Sequence, residues 1–348
     1  MQTEIAESIA KTLLNELTPE KKSKLAVSKP ASVEAYEYYL RGIKVHLDKY
    51  FTTGNEDYFK ESERYLLKAI SLDPAYADAY GALADLYDTR SNFTTEKKKY
   101  YGERDSLALI GYRLNPNSIQ TLIALFWSQL KRETPNHDSA FYYLKKAYHV
   151  DSEDIKVSRV LGDFYVRVSM KESCEKFTNK SIAKSPLDVS ALFTLSSLYL
   201  KYDDLDLFMK YANKIIELDS NNLPIHYLLL FTYTTHKKIA EAKREFEIIK
   251  KIKPDFHRMH ILEGYILAAQ GNKEEALKKD KDINVYMLLG MKNEFLTELN
   301  KQSINLYSPE ELKTSYYDFV RNEPAFKDFQ KRLKVDYEKR LAKYGTLE

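Results

Sequence analysis

The chain has 348 residues, 44% hydrophobic and 30% charged, which excludes a disordered polypeptide; no run approaches the roughly 18 apolar residues of a membrane-spanning helix. Lys and Arg number 54 against 51 Asp and Glu, and the resulting net charge of +3 makes no electrostatic case for nucleic acid or an anionic membrane. Gly and Pro number 10 each, too few for the many tight turns of an all-β fold, and the single cysteine, Cys174, excludes an internal disulfide or a Cys-rich metal site.

In chain order, residues 1–10 are amphipathic and carry Glu4 and Glu7, without the basic start and apolar run of a signal peptide. A cytoplasmic location is expected, or a periplasmic one should a membrane segment precede the chain. Thr18-Pro19-Glu20 reads as a helix cap with Pro at the first helical position, and residues 1–33 are expected to form an N-terminal helical cap.

A repeat follows. Segments that close an apolar helical pattern end at Pro74, Pro116, Ser152, Pro186, Ser220 and Pro254, spaced 42, 36, 34, 34 and 34 residues apart. A second column runs through Gly42, Ala84, Phe126, Gly162, Ser196, Leu230 and Gly264, spaced 42, 42, 36, 34, 34 and 34. Two ladders that agree on 34 residues indicate a stack of helix–turn–helix units. Small residues at Gly42, Ala84, Gly162 and Ser196, met by Ala140, Ala147, Ala242 and Ala276, let paired helices approach closely. Tyr38, Tyr80, Tyr87, Leu144, Tyr165, Tyr199, Tyr233 and Phe246 fill the seams, which accounts for much of the 28 tyrosines. Phe126 and Leu230 are large for their column, so looser or shifted packing is expected there. The first two units carry eight extra residues each, around Thr52-Thr53-Gly54-Asn55 and Asn92-Phe93-Thr94-Thr95, read either as longer hairpin loops or as lengthened second helices.

The period, the Leu-Asp-Pro endings and the run after Tyr76, Ala-Asp-Ala-Tyr-Gly-Ala-Leu-Ala-Asp-Leu-Tyr, resemble the tetratricopeptide repeat (TPR). The resemblance covers residues 34–279 and implies an all-α, right-handed superhelical solenoid of about seven hairpins, capped by helices at both ends. Residues 280–348 are expected to hold a degenerate repeat and capping helices: a segment over 283–299, a capping box at Ser308-Pro309-Glu310-Glu311, and a last helix from Pro324 to Gly345. A narrower resemblance lies in the flanks. Ala35-Tyr36-Glu37-Tyr38-Tyr39-Leu40-Arg41-Gly42 and Asn322-Glu323-Pro324-Ala325-Phe326 look like the TPR regions of bacterial multidomain regulators in which a TolB-like domain precedes the repeats. It implies that the chain is the C-terminal region of a larger bacterial regulator.

No Gly-rich phosphate loop, Gly-x-Ser-x-Gly, His-Glu-x-x-His or EF-hand pattern occurs, and neither an enzyme activity nor a cofactor is expected. Cys174 falls in the column of packing alanines and reads as a buried small residue. His257, His260 and Glu263 share a helix at three-residue spacing, which drifts off one face and lacks a fourth ligand, so no metal is assigned. Lys97-Lys98-Lys99 reads as a solvated face.

In TPR proteins the first helix of each unit lines the concave face. Helical spacing then brings Ile123, Trp127 and Leu130 to it in unit three, and Arg159 and Arg167, with Lys156 and Asp163, in unit four. Phe193 and Leu200 follow in unit five, Tyr227 and Phe231 in unit six, and Ile261 and Tyr265 in unit seven. Unit two contributes Asp78, Asp85 and Asp88. The expected groove is acidic at one end, basic in the middle and aromatic in its second half. Two readings stay open: a peptide or protein lies on the aromatics, or a tight superhelix or folded-back C-terminal helices make them core. The first predicts a protein-interaction scaffold and the flanks allow a self-associating module instead. The acidic row disfavours RNA, and the Lys/Asn carboxylate clamp of chaperone-tail-binding repeats is not matched.

Overall fold

A computed structural model describes residues 30–132 and 134–347. The expected cap at Thr18-Pro19-Glu20 lies outside them. Every regular element among the described residues is helical. They pair as hairpins: α1 (Val33–Val45) with α2 (Glu56–Leu72), α3 (Ala77–Arg90) with α4 (Lys97–Leu114), and α5 (Ile119–Leu130) with α6 (His137–Val150). Next come α7 (Ile155–Arg167) with α8 (Lys171–Lys184), α9 (Val189–Lys201) with α10 (Leu205–Leu218), and α11 (Leu223–Thr235) with α12 (Ile239–Ile252). The seventh pairs α13 (Met259–Ala269) with the short α14 (Lys273–Lys279), and an eighth pairs α15 (Ile283–Leu288) with α16 (Lys292–Lys301). The chain closes with three single-turn segments and α17 (Pro324–Tyr344).

Short side chains fix where each helix begins and ends. The repeat-ending Asp73, Asn115 and Asp219 each accept from the amide two residues on, at 3.0 to 3.1 Å, and so build the turn between units. Ser118, Asp154, Asp188 and Asn222, spaced 36, 34 and 34, then cap α5, α7, α9 and α11 by accepting amides of the first turn. Inside hairpins four to seven the turn residue has a positive φ: Ser169 (56°), Asp203 (57°), Lys237 (56°) and Gly271 (79°), each 34 apart. The amide that follows bonds back to the last turn, as in Met170 N–H to the Tyr165 carbonyl at 2.9 Å, the Schellman closure.

By packing, the chain divides into two units, each with its own interior. Unit 1 runs to Leu47 and adds Asp57–Asn92 and Glu96–Asp151; unit 2 is Ser152–Glu348 together with Asp48–Glu56 and Phe93–Thr95. In unit 1 a Cβ on Gly42 would sit 2.7 Å from Leu66 Cγ, and Ala84, Ala108, Ala124 and Leu125 pack together where α3, α4 and α5 meet. Phe126 and Leu230, expected to loosen their seams, are fully buried. In unit 2 a Cβ on Gly162 would meet Thr178 Oγ1 at 2.1 Å, and Cys174 and Ala242 are fully buried at the same kind of contact. Burial pushes the Cys174 thiol up to about 12, which leaves it inert.

Three expectations need correction or completion. Residues 283–299 are not one helix: Gly290, at φ 65°, breaks them into the eighth hairpin. Ser308-Pro309-Glu310-Glu311 does not open an α-helix. Ser308 Oγ accepts from the Glu311 amide at 3.2 Å, but the Glu311 carboxylate turns inward to Lys201 (3.4 Å), and only a single turn forms over Glu311–Lys313. The two eight-residue extensions are both things at once: the connections within hairpins one and two are longer, and their second helices are lengthened as well, to 17 residues in α2 and 18 in α4 against 14 in α8 and α10.

Candidate functional site

In unit 1 the acidic row of α3 is spent internally. Asp78 accepts from Ser118 Oγ at 2.5 Å, and Asp85 lies 4.0 Å from His46 Nδ1. Asp88, 4% exposed, takes Arg104 Nη1 at 2.9 Å and Lys131 Nζ at 2.7 Å. Ile123 and Leu130 are buried at 3% and 7% exposure, so neither has side-chain surface to offer. Trp127 is half-buried, edge-on to Phe126 at 4.8 Å, with the Lys131 ammonium 5.4 Å above its ring.

In unit 2 the basic positions of α7 divide. Arg159 Nε lies 3.8 Å from Asp188, whereas Arg167 is exposed. Asp163 accepts from Thr194 Oγ1 at 2.5 Å, and burial raises its pKa. On the first helices beyond, Phe193, Tyr227, Phe231 and Ile261 are half-buried. Tyr265 is buried, edge-on to Phe231 at 5.6 Å, and its hydroxyl donates to Asp282 Oδ2 at 2.7 Å while accepting from Asn284 Nδ2 at 3.1 Å. Burial pushes the Tyr265 hydroxyl well up and raises that of Tyr227, so both stay neutral. His257 lies in the turn before α13 and not on it, so only His260 and Glu263 share that helix, and Glu263 is paired with Lys279 at 2.6 Å.

The C-terminal segment folds back along the hairpin turns. Ser169 Oγ donates to the Leu306 carbonyl at 2.8 Å, the Tyr202 hydroxyl meets Ser308 Oγ at 2.9 Å, and Ser315 Oγ donates to Asp203 at 2.5 Å. Tyr316 donates to the Leu200 carbonyl at 3.4 Å, and Leu200 is buried there. From α17, Arg340 donates to the carbonyls of Val168, Asn305 and Tyr307, and the Tyr165 hydroxyl reaches the Tyr344 carbonyl at 2.8 Å.

Sequence spacing did not reveal that unit 2 also holds the extensions of the first two repeats. Phe93 packs on the core cluster of Leu223, Leu230, Leu262 and Tyr265, against which Tyr227, Phe231 and Ile261 also pack. Tyr50, fully buried, is edge-on to Phe93 at 5.6 Å, and Lys253 Nζ donates to the Gly54 carbonyl at 3.2 Å. The available signal was an aromatic and a glycine in residues that the 34-residue period does not need.

No protein-family model and no curated protein matches the sequence. Solved structures similar in fold include a tetratricopeptide repeat protein from Parabacteroides merdae ATCC 43184, at 16% identity and TM-score 0.46 over 73% of this chain and 98% of that one. Yeast Tom70 is similar at 14% identity and TM-score 0.43, over 97% and 75%. The TPR domain of P58(IPK) is similar at 11% and 0.27, over 88% and 99%.

Proposed function

We propose that the chain is a protein-interaction scaffold whose first helices in unit 2 take an extended peptide segment. The observation that carries this reading is the half-buried set Phe193, Tyr227, Phe231 and Ile261. These sit on α9, α11 and α13, the first helices of three successive hairpins, and keep apolar surface accessible beside buried neighbours. Arg167, exposed on α7, supplies a guanidinium for an acidic group of the same ligand. Arg159, with 17% of its side chain exposed, is a weaker candidate for that role, and Trp127 is the expected groove aromatic of unit 1 that keeps accessible surface. Tyr265, Ile123 and Leu130 act through packing. Under the flank resemblance, the bound segment would regulate an output domain of a bacterial regulator.

The test is selection from a displayed peptide library on the purified chain, followed by titration of the selected peptides. Phe193→Ala and Tyr227→Ala should each weaken binding about tenfold or more, since one anchor is worth roughly 1.4 kcal/mol or above. Arg167→Glu should weaken acidic peptides selectively. Equal affinities across wild type and variants would refute the reading.

Self-association is the second reading. It is favoured by Leu109, Ile110 and Leu114 on α4 and Tyr142 on α6, all at least 40% exposed, on helices joined by the Tyr112–Tyr143 ring contact at 6.0 Å. A mass that rises with concentration in light scattering, and no longer does so in Leu114→Asp, would support it.

A further inference from the structure

The extensions of hairpins one and two are longer than connection requires. Hairpins four to seven join their helices through three residues, for example Val168, Ser169 and Met170 between α7 and α8. The extra residues instead form a preshaped unit. Residues 46–53 wind through a wide turn and a single α-turn closed by Gly54, at φ 63°, whose amide bonds to the Tyr50 carbonyl at 2.8 Å. Thr52 and Thr53 hydroxyls both return to the Lys49 carbonyl, at 3.1 and 2.8 Å. Phe93, from the other extension, lies over Gly54 so closely that a Cβ there would be 2.4 Å from its ring. Residues Phe51–Thr53 pack on α11, Phe93 packs on the apolar cluster shared with Tyr227 and Phe231, and Lys253 holds the Gly54 carbonyl from the end of α12. An aromatic ring set in the cluster and a main-chain carbonyl met by a basic side chain are the two contacts that an extended peptide would offer.

We propose that Asp48–Glu56 and Phe93–Thr95 are a cis occupant of the peptide-binding face of unit 2, which a partner segment carrying an aromatic anchor must displace. The proposal rests on the peptide-binding reading given above and adds its regulation. The apparent affinity of a partner is then the intrinsic one reduced by the fraction of molecules in which the occupant has left. Two substitutions outside the binding helices raise that fraction. Phe93→Ala removes the ring. Gly54→Ala places a methyl against the ring and strains a backbone already at positive φ.

The experiment titrates extended peptides, each with one Phe or Tyr, against the full-length wild-type chain and both variants, with amide exchange of α11 followed in the free proteins. The expected result is at least tenfold tighter binding by both variants and faster exchange in α11, with wild-type circular dichroism. Should one variant fail to fold, the other decides. Equal affinity in all three proteins overturns the occupant while leaving peptide binding standing. Weaker binding by Phe93→Ala also overturns it, because Phe93 would then belong to the binding face. Peptides that bind none of the three overturn both readings.

Discussion

Replacing Arg104 tests whether the acidic row of α3 is structural. Arg104 is fully buried, an unusual place for a guanidinium, and spans three elements. Nη1 meets Asp88 at 2.9 Å, Nε meets Asp105 at 2.8 Å, and Nη2 approaches the Ser128 carbonyl at 3.4 Å. Arg104→Met keeps the length of the stem and removes the charge. The Ser128 carbonyl still accepts from Arg132 Nε at 2.9 Å, so the loss falls on Asp88, left with Lys131 alone. Breaking a buried pair from one side costs about 3–5 kcal/mol; the surviving Lys131, itself only 17% exposed, should hold the loss at or just below that range, about 2–3 kcal/mol. Asp88→Asn with Arg104→Met should cost less than the sum of the two single changes, by about 1–2 kcal/mol, because the buried carboxylate that Arg104→Met leaves short of a partner is no longer charged. Urea unfolding followed by fluorescence of the single tryptophan, Trp127, reports on this unit directly. Strict additivity, or a loss below about 0.5 kcal/mol for Arg104→Met, would refute the reasoning and return Asp88 to the list of surface acids.

Arg340→Met should release the C-terminal segment from three carbonyls, and amide exchange of residues 304–347 should accelerate well before that of α9. His226 is hemmed by two acceptors, the Glu245 carboxylate at 2.6 Å and the Ser220 carbonyl at 3.0 Å. Burial alone would lower its pKa, but these partners outweigh burial and hold it above the ordinary 6.5. Its stabilising contribution is therefore complete below about pH 6.5 and fades as pH rises through the raised value; urea midpoints from pH 5.5 to 8.5 should fall, and His226→Gln should flatten that slope. Lys237→Gly should stabilise by about 0.5–1 kcal/mol in thermal or urea unfolding, since the residue is exposed and sits at φ 56°. Ser169→Gly and Asp203→Gly, at the same conformation, should give no such gain because each also loses a bond to the C-terminal segment.

The helix-pairing columns were legible because they rest on volume. Gly42, Gly162, Cys174 and Ala242 face contacts where no larger side chain fits, and a volume constraint recurs wherever the period does. The caps at Ser118, Asp154, Asp188 and Asn222 were equally periodic and could have been read from the same alignment of units. Exposure on the first helices was not legible. Helical spacing says only which side chains of one helix share a face. What lies against that face is decided by segments distant in sequence, such as Arg104 over Asp88 and Asp282 beside Tyr265. The capping box at Ser308 misled for a related reason. The local signal for a helix was genuine, and burial of Glu311 against Lys201 and Tyr317 outweighed it.

The fit between the aperiodic tail and the periodic turns explains a feature that repeat logic leaves unexplained. Glycine best suits the left-handed turn position, and Gly271 and Gly290 use it. Ser169 and Asp203 accept the strain of that conformation, and theirs are the turns that the tail docks on through side chains: Ser169 to Leu306, Asp203 to Ser315. The His236 ring, beside Lys237 in the next turn, approaches Tyr316 at 6.4 Å and Asp203 at 3.5 Å, so the contact there passes to the neighbouring residue. Of these three residues that depart from the turn optimum, two thus hold the tail themselves, and the third, Lys237, leaves that contact to its neighbour. With the turn edge of hairpins four to six occupied in this way, a partner of unit 2 must use the first-helix side chains that the tail leaves accessible, among them Phe193, Tyr227 and Phe231, and the extensions carrying Tyr50 and Phe93 pack on the cluster to which two of these belong.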